Sequence, residues 1–164
     1  MLDRSLESPR ALVVLMIASI AIVATAVASQ YFGGLAPCAL CQYQRVPYVA
    51  VVVIATTALL YPKVTGEALA IAAITFTIGG AIALFHVGVE QAWWEGTKAC
   101  VGNTSPTDSL DDLRAQIMAA PIVRCTDVQW SLFGVSMAGY NILASAILTV
   151  FAGVAAFRAR SKPS

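Results

Sequence analysis

Four cysteines and one histidine are the residues of this 164-residue chain best suited to chemistry. Cys38 and Cys41 stand in a Cys-x-x-Cys spacing inside the stretch Pro-Cys-Ala-Leu-Cys-Gln-Tyr-Gln-Arg, residues 37–45. That spacing suits either a reversible disulfide or half of a metal site. Cys100 and Cys125 lie 25 residues apart, too far for the close pairs that zinc ligands form, and no cluster of histidines or acids surrounds them, so no metal is expected. Two readings then stay open on the residues alone. One is a pair of inert disulfides tying two loops. The other is thiol–disulfide exchange, in which a thiolate attacks a disulfide and passes through a mixed disulfide.

Arg45 favours exchange. A Cys-x-x-Cys at a helix N-terminus lies in a positive potential that favours the thiolate. If the helix has begun by Cys41, Arg45 is its i+4 neighbour on the same face. It can stabilise the Cys41 thiolate or a reduced acceptor beside it, although an arginine there also serves simply to reach the membrane interface. His86 falls near the outer end of a long apolar run, at the level of Arg45, where an ionisable group is a functional candidate. Its plainer role is an interface histidine bonded to a neighbouring carbonyl. Glu90, four residues on, shares its helical face and can orient it. Trp93, Trp94, Trp130, Tyr43 and Tyr48 read as an interfacial belt without chemistry.

The elements that must position these residues are apolar. The chain is 59% hydrophobic and 12% charged, against about 25% charged in soluble domains. Its net charge of +1 offers no global field to attract nucleic acid. Charge-poor runs at 11–29, 42–61, 68–89 and 131–157 are each close to the roughly 20 residues that span a bilayer. They predict one all-α membrane domain over residues 1–164, a four-transmembrane-helix bundle. Ala26-Val27-Ala28 resembles a signal-peptidase site, but the apolar run before it is long and its head carries acids as well as arginines. The first run is therefore expected to be a retained span.

Two loops, 30–41 and 90–130, carry all four cysteines. In the second, Ser109 can cap a short helix with Leu110, Leu113 and Ile117 on one face and Pro121 at its stop. That narrow face suits a helix lying on the membrane surface. Arg4, Arg10, Lys63, Arg158, Arg160 and Lys162 crowd short segments on one side, whereas Arg45, Lys98, Arg114 and Arg124 are spread among six acids on the other. The positive-inside rule makes the termini cytoplasmic and both loops external, in bacteria periplasmic and oxidising. A dithiol there needs an electron acceptor. No haem motif, flavin fingerprint or phosphate loop is present, and a quinone entering laterally would need only an apolar groove and polar anchors such as Arg45 and His86.

Pro-Cys-x-x-Cys followed by Tyr43, Gln44 and Arg45, a separated second pair, His86 and the Trp-Ser-Leu-Phe-Gly entry to the last span together resemble the disulfide bond formation protein B (DsbB) family. The resemblance covers nearly the whole chain. It implies a bacterial inner-membrane oxidoreductase that reoxidises a DsbA-like periplasmic thiol oxidase and reduces ubiquinone or menaquinone. It further implies that Cys100, paired with Cys125, receives the partner's thiolate. Cys125 would then exchange with Cys38, leaving Cys41 as the thiolate that reduces the quinone, with Arg45 and His86 holding it. The surface helix near 110–117 would anchor the second loop. A vitamin K epoxide reductase-like enzyme matches less well, because its quinone-side Cys-x-x-Cys lies late in the bundle. A non-catalytic membrane protein with two loop disulfides is the remaining alternative.

Overall fold

Within hydrocarbon a backbone must satisfy its own N–H and C=O groups, and a helix does so along one segment. The computed structural model describes residues 8–101, 109, 111 and 123–161. Among them are four helical stretches long and apolar enough to cross a membrane, Pro9–Tyr31, Ala39–Leu60, Pro62–Glu90 and Met137–Ser161. In chain order the elements are α1 (Ser8–Tyr31), α2 (Ala39–Tyr43), α3 (Val46–Leu60), α4 (Thr65–Glu90) and α5 (Lys98–Val101), then β1 (Ser131–Leu132), β2 (Val135–Ser136) and α6 (Met137–Ser161). A 3₁₀ turn, Pro62–Val64, joins α3 to α4.

No more than a third of any spanning window is buried inside the bundle. Ile17, Ile71, Ile78 and Ile147 all point outward. The protein is thus a multi-pass, all-α membrane protein whose large apolar side chains face lipid. Its interior is built from smaller residues. Ala55 and Ala58 of α3, Ala68 and Ala72 of α4, and Ala152, Ala155 and Ala156 of α6 share one core with Leu12, Leu15, Leu69 and Phe76. Small side chains let helix backbones approach closely where lipid supplies no hydrophobic push. Gly79 and Gly80 of α4 extend the same device. A Cβ at Gly79 would come within 3.2 Å of Pro47, and one at Gly80 within 3.3 Å of Ser145.

Two elements depart from the sequence-based expectation. The second span starts at Ala39 rather than at residue 42, and its hydrogen-bond ladder is interrupted within the first turns. It is α2, a break at Gln44 and Arg45, and then α3. Pro47 accounts for it: it has no N–H to donate to the carbonyl of residue 43 and its ring would crowd that carbonyl, so it fits the first turn of a new helix. The fourth helix starts at Met137 rather than at the head of its apolar run. Phe133 and Gly134 both take positive φ, 50° and 77°, which makes the two-residue turn of a β1–β2 hairpin. Apart from Asp111, the surface helix expected near 110–117 lies outside the described residues; Ser109 Oγ accepts the Asp111 N–H at 3.2 Å.

The connections sort to two ends of the bundle. At one end Ala11 and Leu12 of α1 pack with Ala155 and Ala156 of α6. At the other, α2, α5 and the last turns of α4 converge, and Cys38, Leu40, Val89, Cys100 and Cys125 form a separate buried cluster.

Candidate functional site

The site is assembled at the start of the broken second span. Cys38 is the N-cap residue of α2, and its sulfur accepts the N–H of Cys41 at 3.2 Å. This one-turn cap brings the two sulfurs to 3.0 Å, unjoined. Either sulfur could donate across that contact. Cys38 Sγ already faces two other donors, the Cys41 N–H and His86 Nε2 at 3.5 Å. It is therefore the sulfur suited to carry charge, with Cys41 donating to it. The Cys41 hydrogen bond, opposed by burial and helped by His86, holds the Cys38 thiol down at about 4 instead of 9.0. These contacts favour a thiolate on Cys38, at the membrane edge.

His86 is buried in α4, and its tautomer follows from a chain of polar groups behind it. Asn141 Nδ2 donates to Gln44 Oε1 at 3.0 Å, so Gln44 Nε2 faces His86 Nδ1, also at 3.0 Å. With the amides in this orientation Nδ1 accepts, and Nε2 is the nitrogen that points at Cys38. Tyr48 Oη donates to Asn141 Oδ1 and lies 2.9 Å from Ser145 Oγ. Tyr48, expected at the interface, is instead 1% exposed and is a member of both this chain and the core. Buried polar groups are expensive without partners, and here each holds the next in register.

Glu90 meets His86 as the spacing predicted, with Oε1 3.9 Å from Nε2. Its other oxygen accepts the Ser136 hydroxyl at 2.5 Å, while Ser136 Oγ also accepts the Gly139 N–H at 3.2 Å. Ser136 therefore caps α6 and ties it to the end of α4. The carboxylate gains from the positive N-terminus of α6.

Arg45 sits where the hydrogen-bond ladder of the second span is interrupted. The helix break makes it the N-cap of α3. Its guanidinium reaches α1, donating to Gln30 Oε1 at 3.1 Å and to the Ala26 carbonyl at 3.3 Å. It still lines, with Cys38, Cys41, His86 and Glu90, one cavity of about 680 Å³ whose walls are mostly apolar and include Ala21 and Ile22 of α1. Cavities of a few hundred Å³ with an apolar wall and a few converging polar groups are the usual shape of small-molecule sites.

Cys100 and Cys125 form a disulfide with Cα atoms 5.0 Å apart. Both are buried against Cys38, Leu40 and Val89, with Cys41 and Phe85 packed on the same cluster. Trp94 folds this loop back by donating Nε1–H to the Phe85 carbonyl at 3.0 Å and stacking on the Phe85 ring. Gly88 leaves the necessary room, since a Cβ there would overlap the Trp94 ring at 2.0 Å. All four cysteines and His86 are thus brought together, with Arg45 on the adjoining cavity wall. Gln44, Tyr48, Asn141 and Ser145 were missed as site residues. The available clue was polarity inside long apolar runs, strongest at Asn141.

Comparison with known proteins identifies the family. The family model described as disulfide bond formation protein DsbB matches residues 8–155. Disulfide bond formation protein B of Haemophilus influenzae is 32% identical over 143 residues, covering 83% of this chain and 78% of that protein. Its counterpart of the same name in Stutzerimonas stutzeri is 27% identical over 146 residues, covering 84% of this chain and 88% of that protein. An uncharacterized protein of Rickettsia prowazekii is 28% identical over 150 residues, covering 90% and 87%. No solved structure gives a significant match. A match running from α1 nearly to the end of α6, over a bundle that gathers two cysteine pairs at one end, leaves one conclusion: the chain belongs to the DsbB family of disulfide bond formation proteins.

Proposed function

We propose that this protein moves two electrons from a DsbA-like periplasmic thiol oxidase to a membrane quinone, ubiquinone or menaquinone, in the bacterial inner membrane. The termini would be cytoplasmic and the cysteine loops periplasmic. The observation that carries this reading is the shared buried cluster of Cys38, Cys100 and Cys125 beside a cavity lined by Cys41, Arg45 and His86.

The partner's thiolate attacks Cys100 and breaks the Cys100–Cys125 bond, leaving Cys125 as a thiolate. The partner's second thiol then closes its own disulfide and releases Cys100. Cys125 attacks Cys38 of the oxidised inner pair, and Cys100 completes the transfer by re-forming the outer disulfide. Cys38 and Cys41 are left reduced, their sulfurs close enough to rejoin. Cys100 is 3% exposed, so the partner's approach requires the covering chain to move. Quinone, when bound, accepts two electrons and two protons. Cys38 and Cys41 give up those electrons as they rejoin, and the partner's two thiols supply the protons over the full cycle. His86 Nε2–H offsets charge on Cys38, while Arg45 holds a positive charge on the cavity wall facing Cys41.

Thiol trapping during quinone supply and withdrawal tests the reading. The inner pair is expected to accumulate as thiols without quinone and to return to the disulfide when it is restored. Four cysteines that stay oxidised throughout would refute it and favour structural disulfides.

A further inference from the structure

We propose that the reduced inner pair is also a zinc site, with Cys38 Sγ, Cys41 Sγ and His86 Nε2 as its three protein ligands. These three atoms lie within 4.8 Å of one another. Zinc binds sulfur at about 2.3 Å and imidazole nitrogen at about 2.0 Å, so two such ligands at a tetrahedral angle lie about 3.5 Å apart. Cys38 Sγ and His86 Nε2 are separated by 3.5 Å. The two sulfurs, at 3.0 Å, would part toward the roughly 3.8 Å that two zinc-bound thiolates require. All three residues line the cavity, from which a water completes the tetrahedron. Two cysteines and one histidine with an open fourth position is an established zinc ligand set.

The surrounding groups can follow. Ligation through Nε2 moves the imidazole proton to Nδ1, which needs an acceptor. Gln44 supplies one by turning its amide over, and Asn141 turns with it. Tyr48 then accepts from Asn141 and donates to Ser145, whose oxygen is already 2.9 Å away. Every hydrogen bond in the chain is kept with its direction reversed. The Cys41 proton is released to solvent, and no electron moves. Oxidation to the Cys38–Cys41 disulfide removes both thiolate ligands, so the site exists only in the reduced protein. On the reading under Proposed function, zinc holds the dithiol reduced and stalls quinone reduction.

The test uses the full-length protein in detergent with Cys100→Ser and Cys125→Ser, which leaves the inner pair as the only thiols. Cobalt is the probe. The reduced protein is expected to take one equivalent, giving the intense visible bands of tetrahedral cobalt and a thiolate-to-cobalt band that zinc abolishes. The oxidised protein, with the same fold, is expected to give neither. His86→Gln should weaken binding by at least about tenfold, since loss of even a group that only orients a ligand costs about 10–100-fold. A weak octahedral spectrum, equal binding by the oxidised protein, or unchanged affinity in His86→Gln would overturn the site. Wild-type quinone turnover without cobalt binding would sink this inference alone. Cobalt binding in a protein that never reduces quinone would sink the proposed function and leave the metal site standing.

Discussion

The Cys38 sulfur accepts the Cys41 N–H and lies within reach of Cys41 Sγ and His86 Nε2, contacts that favour a thiolate there. With its ionisation drawn down to about 4 from 9.0, this thiolate favours the folded, reduced protein increasingly as pH rises from about 4 to 9. That contribution is lost as pH falls back through the same window. Alkylation of Cys38 in Cys100→Ser/Cys125→Ser protein, with a chelator present, should therefore show a midpoint near pH 4. A midpoint near 9 would mean the convergence of donors has no effect. Arg45 belongs to a different part of the same chemistry. Arg45→Ala should raise the KM for quinone at least about tenfold while leaving disulfide exchange with the partner intact, since a charge-assisted contact contributes about 1.5–3 kcal/mol. Steady-state kinetics at varied quinone, with trapping of the mixed disulfide, separates the two. Asn141→Leu should lower quinone reduction by leaving Gln44 free to turn and His86 free to change tautomer. Asn141→Gln is not expected to rescue it, because the added methylene displaces the amide from Tyr48. A pH–rate profile unchanged in Asn141→Leu would deny the positioning role.

At the scale of elements, the positions of Pro47 and Ala92 decide how the site is presented. The sequence showed four apolar runs plainly, since lipid forces each to be a helix, and it identified Cys38, Cys41 and His86 as candidates for one site. It did not show the helix break, although Pro47 was visible. A proline near a helix start is ordinary, and only the packing of α3 against Gly79 distinguishes a new start from a first turn. Gln44 and Arg45 keep helical dihedrals through the interruption, so Arg45 stays on the cavity wall with Cys41 while its guanidinium donates to Gln30 and Ala26 of α1, partners that no spacing argument could supply. Tyr48 was misplaced for a related reason: a tyrosine one turn inside a span looks interfacial until its partners on another helix, Asn141 and Ser145, are known. At the far end of α4, Trp93 N–H returns to the Gly88 carbonyl at 2.8 Å and Ala92 N–H to Val89 at 3.2 Å. This is a Schellman closure with Ala92 at φ 57°, where glycine is the usual residue. Ala92→Gly should stabilise the protein by roughly 0.5–1 kcal/mol through relief of that conformation. Thermal unfolding in detergent would register it, and a lowered midpoint would contradict the assignment. Gly88→Leu should act oppositely, lowering the midpoint by expelling the Trp94 ring from its place against α4 and freeing the loop that carries Cys100.

For the whole molecule, the ordering of charge across the bilayer decides whether the relay can work at all. An even number of passes puts both ends of the described chain on one side and the cysteine cluster on the other. Arg158 and Arg160 close α6 on the first side, with Lys63 in the turn between α3 and α4. The acids gather at the cysteine end, where Glu90 lies beside the cavity and Asp127 on its wall. Basic residues in short segments resist translocation, whereas acids contribute little to orientation. The cysteine end should therefore cross the membrane and meet an oxidising compartment. A reporter enzyme active only in the periplasm is expected to be silent when fused after Ser164 and active when inserted after Trp94. The sense of the charge argument predicts how to disturb it. Replacing Lys63, Arg158, Arg160 and Lys162 with glutamine, while adding lysines beside Trp94, should give a population with the second insertion silent and the Ser164 fusion active. In that population the cysteines would face a reducing cytoplasm, and thiol trapping should find Cys100 and Cys125 reduced. If the outer disulfide survived inversion, its oxidation would not depend on compartment, and the proposed coupling of topology to electron flow would fail.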